Sequence, residues 1–319
     1  MRRALAVLAA GTAAVAAGGA LLSCAPPNGG GGGSGAAGGV ERRSAPPELT
    51  DPERALLDRA EALLVKRCMD THGLPYWTVA PLSAAESRGL GYVLDDVAWA
   101  REHGYGSRLQ HKELAAKRAD PNLLHRNKLT GQRLTEYTDV LFGGPDTPTL
   151  SVRVPGGGTI SSSVGGCYGE ASQELYGDRA TWFRVDKTVA NLTSLYGAEL
   201  RRDPRFTGAV TAWARCMRRA GHPYPDPPAA HSAAAKAGLR DTGPTVDAEV
   251  ERRTFTDEVR LAVAEATCAE ETGLGRTGRA LETEYRDGLD GAYLDAIADH
   301  RRIERRALDR ARDIAGARP

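Results

Sequence analysis

The sequence lacks a charge imbalance and lacks the short motifs that mark metal sites. Its 42 basic and 41 acidic residues give a formal net charge of +1, which provides no electrostatic basis for nucleic-acid binding. The seven histidines form no H-x-x-x-H or H-E-x-x-H motif, and no two cysteines have the close spacing of a zinc-binding pair. We therefore predict no cofactor, no metal and no nucleic-acid partner.

Methionine is scarce, and its positions are informative. Apart from Met1, the two methionines directly follow a cysteine. Residues 67–76 read RCMDTHGLPY and residues 215–224 read RCMRRAGHPY, so Arg, Cys, Met, Gly, Pro and Tyr recur at the same offsets. Chance is a poor explanation for this agreement, and we infer an internal duplication.

The N-terminus has the pattern of a signal peptide, with a basic start and an Ala/Leu/Val-rich segment to Leu22. The segment ends in Leu-Leu-Ser-Cys24, which resembles the lipobox of bacterial lipoproteins. The resemblance implies that residues 1–23 are removed and that Cys24 carries diacylglycerol and fatty acyl chains such as palmitate. Acyl chains of this kind anchor a protein stably. A plain signal peptide and an uncleaved helix are the alternatives, and the polar, glycine-rich linker that follows argues against the second.

Residues 24–48 contain the lipidated cysteine and a run rich in Pro, Gly, Ala and Ser, which predicts a flexible tether. Order is predicted from Thr50, because Thr-Asp-Pro-Glu53 has the capping-box arrangement that begins a helix. Apolar residues then keep helical spacing as far as Cys68. Gly73 and the proline that follows it are expected to end this helix.

The remaining chain predicts a mainly α fold with one β-hairpin. Residues 77–148 have weak patterns. We expect helical patches over 82–102, a charged helical segment over 108–118 and otherwise long, partly irregular connections. Thr149–Val154 and Thr159–Ser163 flank Pro-Gly-Gly-Gly and predict the hairpin. Helices are expected at about 170–176, 179–202, 204–220, 246–272 and 281–314, with a proline-rich loop over 225–244. We assign 49–202 to a first half and 203–319 to a second half with a C-terminal helix.

Four cysteines beyond the acylated one predict two disulfides in an exported protein. Three pairings are possible. Cys167 and Cys268 each begin a Cys-x-x-Glu motif, so each Cys-Met copy has one such companion. This favours Cys68–Cys167 and Cys216–Cys268. The alternative pairs the two Cys-Met cysteines, Cys68–Cys216, and the two Cys-x-x-Glu cysteines, Cys167–Cys268. In the chain-entropy model each favoured pair contributes about 4–5 kcal/mol.

The Cys-Met segment followed by Gly and Pro, the Pro-Gly-rich hairpin and the Gly-Cys-x-x-Glu helix start resemble a group of secreted actinobacterial lipoproteins of unassigned function. The similarity covers about Thr50 to Glu271. It implies an exported, lipid-anchored protein. These motifs are structural, and the family provides no catalytic residues to transfer to this chain.

Asp95, Glu102 and His103 are the candidates for acid–base chemistry, since they flank Trp99 and paired carboxylates can act on glycans. A solvated charged surface is the alternative reading.

Gly273–Gly278 matches G-x-G-x-x-G, but a predicted helix precedes it where a dinucleotide site needs a strand. We therefore expect a helix-to-helix turn there.

These features predict a protein lipid-anchored at the extracytoplasmic face of the cell membrane, with a non-enzymatic binding or presentation role. Its partner would be an envelope protein or a cell-wall ligand. The alternatives are an envelope-acting hydrolase with its site in residues 77–148 and a purely structural envelope lipoprotein. A deep cleft gathering Asp95, Glu102 and His103 would favour the hydrolase, whereas a shallow apolar groove between C-terminal helices would favour partner binding.

Overall fold

Helices make up most of the chain, as the apolar spacing predicts. The computed structural model describes residues 45–79, 90–240 and 247–316. Its helices are α1 (Asp51–Thr71), α2 (Val97–His103), α3 (Ser107–Arg118), α4 (Pro121–Arg126), α5 (Gly131–Phe142), α6 (Gly166–Tyr176), α7 (Arg179–Ala190), α8 (Thr193–Arg202), α9 (Pro204–Arg219), α10 (Pro227–Arg240), α11 (Ala248–Thr272), α12 (Leu274–Asp287) and α13 (Gly291–Ile314). Among these, none is both long enough and apolar enough to cross a bilayer. With the two strands described next, the predicted fold class is confirmed.

The hairpin consists of β1 (Thr149–Arg153) and β2 (Thr159–Ser163), paired antiparallel from Thr149 opposite Ser163 to Arg153 opposite Thr159. All three glycines of its turn have positive φ, a conformation that glycine adopts readily. Ser194 Oγ donates a 2.7 Å hydrogen bond to the carbonyl oxygen of Pro155 at the turn. The hairpin also packs along α7 through β1, which supplies the support that an isolated hairpin lacks.

Helix α1 begins and ends as its sequence predicts. Glu53 Oε2 accepts a 2.7 Å hydrogen bond from the backbone N–H of Thr50, and Thr50 Oγ1 accepts one from the N–H of Glu53. At the other end Gly73 has φ +68°, and the N–H of Leu74 donates to the carbonyl of Met69. A reciprocal cap and a left-handed glycine therefore fix both ends.

The second copy of the motif ends α9 in the same way. Gly221 has φ +83°. The N–H of His222 donates to the carbonyl of Met217 at 2.8 Å, as the N–H of Leu74 donates to Met69 at 3.0 Å. Both methionine side chains are fully buried. The two copies therefore share a helix ending as well as a sequence.

The buried apolar side chains form two main cores, each containing one of these methionines. The first core joins α1, α5 and α6 to the C-terminal part of α13 and includes Leu57, Leu64, Met69, Tyr137, Leu141, Leu175 and Leu308. The second joins residues 94–105 to α9, α11 and α12 and includes Trp99, Trp213, Met217, Ala266 and Leu274. Residues 94–105 thus pack with the second half, and α13 packs with the first. From Ala45 on, the chain forms one compact unit.

Two predicted long helices are each divided, which corrects the sequence prediction. The predicted helix over 179–202 breaks after Ala190, where the Asn191 side chain donates 2.7 Å to the carbonyl of Lys187. The predicted segment over 281–314 breaks at Gly288, and Asp290 caps α13. Polar caps rather than apolar spacing decide both ends.

The predicted loop over 225–244 is wrong, because α10 occupies most of it. Asp226 accepts a 2.8 Å hydrogen bond from the N–H of Ala229, and two prolines occupy the first turn, where proline is tolerated. The alanine-rich run has high helix propensity. Ala230 is fully buried against the second core. The prolines therefore start a helix rather than preventing one.

The charged helix expected over 108–118 is present as α3, but the irregular connections expected elsewhere in 77–148 are wrong for most of the described part. Four consecutive helices, α2 to α5, cover much of residues 97–142. Asp96 and Asp120 cap two of them through side-chain oxygens. Of the helical patches expected over 82–102, the part before residue 90 lies outside the described residues, and α2 covers the last part. Short helices with strong caps escape detection by periodicity because few turns repeat the pattern.

The folded part begins a little before Thr50. Leu49 is 3 % exposed and belongs to the first core. Arg305 of α13 donates hydrogen bonds to the carbonyls of Pro47 and Glu48 at 3.0 and 2.8 Å. The Glu48 carboxylate lies 2.6 Å from Arg301. The ordered contacts therefore reach into the last residues of the predicted tether.

Candidate functional site

The predicted disulfides are present, whereas Cys24, the predicted lipidation residue, lies outside the described residues. Cys68 is bonded to Cys167 with Cα atoms 5.5 Å apart, and Cys216 to Cys268 with Cα atoms 5.6 Å apart. Each bond joins the C-terminal part of a Cys-Met helix to a Cys-x-x-Glu helix. The preferred pairing is therefore confirmed.

The glutamate of each Cys-x-x-Glu motif lies beside its disulfide. Glu170 Oε2 is 3.4 Å from Cys68 Sγ, and Glu271 Oε2 is 3.4 Å from Cys216 Sγ. A disulfide sulfur carries no proton, so these are contacts and not hydrogen bonds. Next to the first disulfide, a ring nitrogen of His72 and the sulfurs of Cys68 and Cys167 all lie within 4.8 Å of one another.

The three acid–base candidates do not form one site. Asp95 pairs with Arg279 of α12 at 2.6 Å. Glu102 and His103 lie at the opposite end of α2, where the His103 ring packs 5.1 Å from Trp99. Helix α2 separates the two groups by about 10 Å at a rise of 1.5 Å per residue. The described residues therefore do not form the deep cleft with Asp95, Glu102 and His103 that would favour the hydrolase alternative.

The G-x-G-x-x-G segment is a helix-to-helix turn, as predicted. Gly273 has φ +70° and separates α11 from α12. A Cβ on Gly275 would overlap the Asp95 carboxylate, so this glycine allows α12 to approach Asp95. The glycines serve packing within the second core.

A cavity of about 240 Å³ lies between the hairpin, α6 and α7. We call it the hairpin cavity. Ser162 and Ser163 of β2 line it, as do Tyr168 of α6 and Lys187 of α7. Glu61 of α1 and Phe142 at the end of α5 complete its wall. The cavity therefore draws its lining from five different elements.

Tight backbone packing lies beside the hairpin cavity, whose lining includes Gly169 and Arg179. Gly166 has φ +56°, and a Cβ there would lie 2.5 Å from the carbonyl oxygen of Val140. A Cβ on Gly169 would lie 2.8 Å from Arg179 Nη1. That guanidinium donates a 2.9 Å hydrogen bond to the carbonyl of Val164. Two glycines of α6 thus allow close contact with α5 on one side and with Arg179 on the other.

A charged network forms the α7 wall of the hairpin cavity. Lys187 Nζ lies 3.0 Å from Asp186 Oδ2, and the Asp186 side chain is only 10 % exposed. Behind it, His300 Nε2 lies 3.6 Å from Asp186 Oδ1, and His300 Nδ1 lies 3.2 Å from Glu304. The network places a cation at the cavity with carboxylates and an imidazole behind it.

Aromatic rings surround the same cavity in two stacks. Trp182 stacks on Tyr176 with centroids 4.3 Å apart and on His300 at 5.1 Å. Phe142 and Tyr168 stack at 5.4 Å and are 39 % and 36 % exposed. Planar rings at a rim of this kind can contact the face of a ligand ring.

The Tyr168 hydroxyl is tied to Tyr76 of the first Cys-Met copy. The two hydroxyl oxygens are 3.1 Å apart. Burial raises the pKa of Tyr168, and burial followed by the neighbouring Tyr168 raises the pKa of Tyr76. Both hydroxyls therefore remain neutral hydrogen-bonding groups at physiological pH.

Sequence reasoning does not find the hairpin cavity. Ser163 and Lys187 come together only because the hairpin docks on α7, and no short motif encodes that docking. In the sequence the serines of β2 have no recognisable base partner, and the tertiary structure places Lys187 in the same cavity. The hydroxyl and ammonium groups of the cavity can donate hydrogen bonds to a ligand, and its aromatic rings can pack on the face of a ligand ring.

No protein-family model, curated protein or solved structure matches this chain.

Proposed function

We propose that this protein is a lipid-anchored extracytoplasmic binding protein that holds one polar, ring-sized unit of a cell-wall glycan in the hairpin cavity. The observation that carries the proposal is the joint presence of exposed aromatic rings, serine hydroxyls and a cation in one cavity. Sugars present apolar ring faces and many hydroxyls, so a site for them combines these same groups. The proposed role is non-enzymatic.

The size of the cavity supports a small ligand unit. Its volume of about 240 Å³ lies below the roughly 300–1,000 Å³ of pockets that enclose drug-sized molecules. A single ring can enter, while the rest of a longer glycan would extend over the rim formed by Phe142 and Tyr168. Recognition of a chain end or a branch fits this geometry best.

A hydrolase with a site different from the one predicted in residues 77–148 has a specific observation in its favour, because Ser162 and Ser163 share the cavity with Lys187. However, Lys187 Nζ lies 3.0 Å from the Asp186 carboxylate. An ammonium group held by a carboxylate is a hydrogen-bond donor rather than a base. This argument favours binding over serine-based hydrolysis, and a turnover assay with the Ser163→Ala variant distinguishes the two.

Binding can be tested with soluble glycan fragments released from purified cell walls by a muramidase. We expect the protein to bind them, and Phe142→Ala to weaken binding about tenfold through loss of about 1–1.5 kcal/mol of ring stacking. Leu134→Ala is the matched control, since Leu134 lies on the same helix, is 36 % exposed and does not line the cavity. Equal affinities for these two variants would contradict the proposed site.

Anchoring needs a separate experiment because Cys24 lies outside the described residues. We expect the wild-type chain to sediment with membranes and to incorporate labelled palmitate. The Cys24→Ala variant should lose the label and appear in the soluble fraction. Continued membrane association without label would show that another segment anchors the chain.

We also propose that the two Cys-Met units descend from one duplicated ancestor. Three features support this: equivalent helix endings, equivalent disulfides, and a glutamate 3.4 Å from the equivalent sulfur in both copies. The units now have different surroundings. In the first, the hydroxyl of Tyr76 contacts that of Tyr168, which lines the hairpin cavity. After such a duplication, the second unit would keep a packing role in the second core, whereas the first unit would have acquired a role beside the proposed binding cavity.

A further inference from the structure

The surroundings of the two disulfides differ at one position that matters for metal chemistry. The residue four positions after the Cys-Met cysteine is His72 in the first copy and Ala220 in the second. Both residues cap their helices in nearly the same conformation, with φ −89° and ψ 1° for His72 and φ −78° and ψ 2° for Ala220. Residues four apart lie on the same face of a helix, so His72 is directed toward its own disulfide.

We propose that the Cys68–Cys167 pair, when reduced, is a Zn²⁺ site completed by His72. The His72 nitrogen and both sulfurs lie within 4.8 Å of one another. Two thiolates and one imidazole supply three protein donors, and a water molecule can take the fourth position of a tetrahedral zinc ion. Glu170 Oε2 lies 3.4 Å from Cys68 Sγ, which places a carboxylate beside the site. The imidazole distinguishes this donor set from the purely sulfur ligands that select Cu⁺.

Access from solvent agrees with this assignment. Cys167 is buried and Cys68 is half-buried, whereas His72 and Glu170 are exposed. A metal ion can therefore approach from the His72 side and reach the thiolates without opening the first core. The second disulfide has Ala220 in place of His72, so it lacks the imidazole donor.

The chemistry requires a dithiol reductant. The reductant transfers two electrons and two protons to the Cys68–Cys167 bond, leaves two thiols and becomes a disulfide itself. Zn²⁺ then replaces the two thiol protons, which pass to solvent, and the metal keeps its oxidation state. Helices α1 and α6 remain joined in both states, first by the sulfur–sulfur bond and then through the metal.

The test uses the full chain with Cys24→Ala, which removes the remaining thiol. The chain is reduced with a phosphine, which competes weakly for metal, and titrated with Zn²⁺ against a chromophoric chelator. We expect one tightly bound Zn²⁺ per reduced chain and none per oxidised chain. His72→Ala should weaken binding at least tenfold, and Ala220→His should raise the stoichiometry to two.

Circular dichroism of each sample shows whether the reduced chain is folded. If the reduced chain unfolds, its thiols can still bind Zn²⁺ nonspecifically, but such binding would not depend on His72. Co²⁺ provides a second measurement, because tetrahedral thiolate coordination gives visible d–d bands that His72→Ala should alter. Equal Zn²⁺ affinity for wild type and His72→Ala, or absence of binding to the reduced wild type, overturns the proposal.

Discussion

The hydroxyl of Tyr105 donates a 2.6 Å hydrogen bond to the carboxylate of Glu265, whose side chain is fully buried in the second core. The other oxygen of Glu265 accepts from the backbone N–H of Leu94 at 2.9 Å and lies 2.8 Å from His231 Nε2. A buried carboxylate is tolerated only when such partners compensate for the loss of water. The Glu265 network therefore joins the segment before α2 and helix α10 to α11.

Removing one partner of this network should destabilise the fold. We expect Tyr105→Phe to lower the free energy of unfolding by about 1.5–3 kcal/mol, because the Glu265 carboxylate loses the hydrogen bond that the Tyr105 hydroxyl donates to it. Tyr92→Phe is the control: its ring packs on Phe206 in the same core, and its loss should stay within about 0.5 kcal/mol. Denaturant unfolding measures both. Similar losses for the two variants would show that the Glu265 network contributes little.

A second prediction concerns stability in acid. Hydrogen bonds from Arg205 lower the pKa of Asp203 to about 2, whereas an aspartate in an unfolded chain has a pKa of about 3.9. Because the folded pKa is the lower one, the stabilisation is complete above about pH 4 and is lost as the pH falls toward 2. Asp203→Asn keeps an N-cap oxygen for α9 but removes the charge.

The measurement is the melting temperature of wild type and Asp203→Asn between pH 6 and pH 2. We expect wild type to be the more stable protein at pH 6 and the difference to shrink below pH 4. Asp309→Asn is the control, since the Asp309 side chain is 74 % exposed and pairs only along its own helix with Arg312. A difference between wild type and Asp203→Asn that does not change with pH would contradict the predicted titration.

A third prediction tests the contact between α5 and α6 through two glycines that begin these helices. Gly131 has φ +53° and open space around the position that a Cβ would take, whereas a Cβ on Gly166, at φ +56°, would meet Val140 O at 2.5 Å. Gly131→Ala should cost about 1–2 kcal/mol from backbone conformation alone. Gly166→Ala should cost more, because the backbone of α5 must move. Thermal unfolding compares them, and equal losses would exclude the steric contribution.

The features that sequence predicts correctly are those encoded within a few residues. The capping box at Thr50, the turn glycines of the hairpin and the left-handed Gly73 and Gly221 each specify a local conformation regardless of the surroundings. The disulfide pairing is predictable because the Cys-x-x-Glu companion repeats. Local codes of this kind account for both ends of α1 and for the mainly α fold class.

The features that sequence misses depend on contacts between distant segments. Helix α10 forms because Asp226 caps it and because Ala230 packs on the second core, whereas the prolines alone suggest a loop. The hairpin cavity exists because β1 and β2 dock on α7, which brings Ser163 to Lys187. The position of His72 beside Cys167 likewise requires α1 to pack on α6. Periodicity in a single segment carries no information about such pairings.

The fourth prediction locates the boundary between tether and folded part. Leu49 is 3 % exposed in the first core, and Arg305 holds the backbone of the two preceding residues. Leu49→Ala should therefore lower the free energy of unfolding by about 2–5 kcal/mol, as for other buried leucines. Leu124→Ala, at a residue 45 % exposed on α4, should change it by less than about 1 kcal/mol. Denaturant unfolding measures both variants. If Leu49→Ala behaved like Leu124→Ala, the predicted tether would extend to Thr50, whereas the large loss expected here would show that Leu49 already belongs to the folded part.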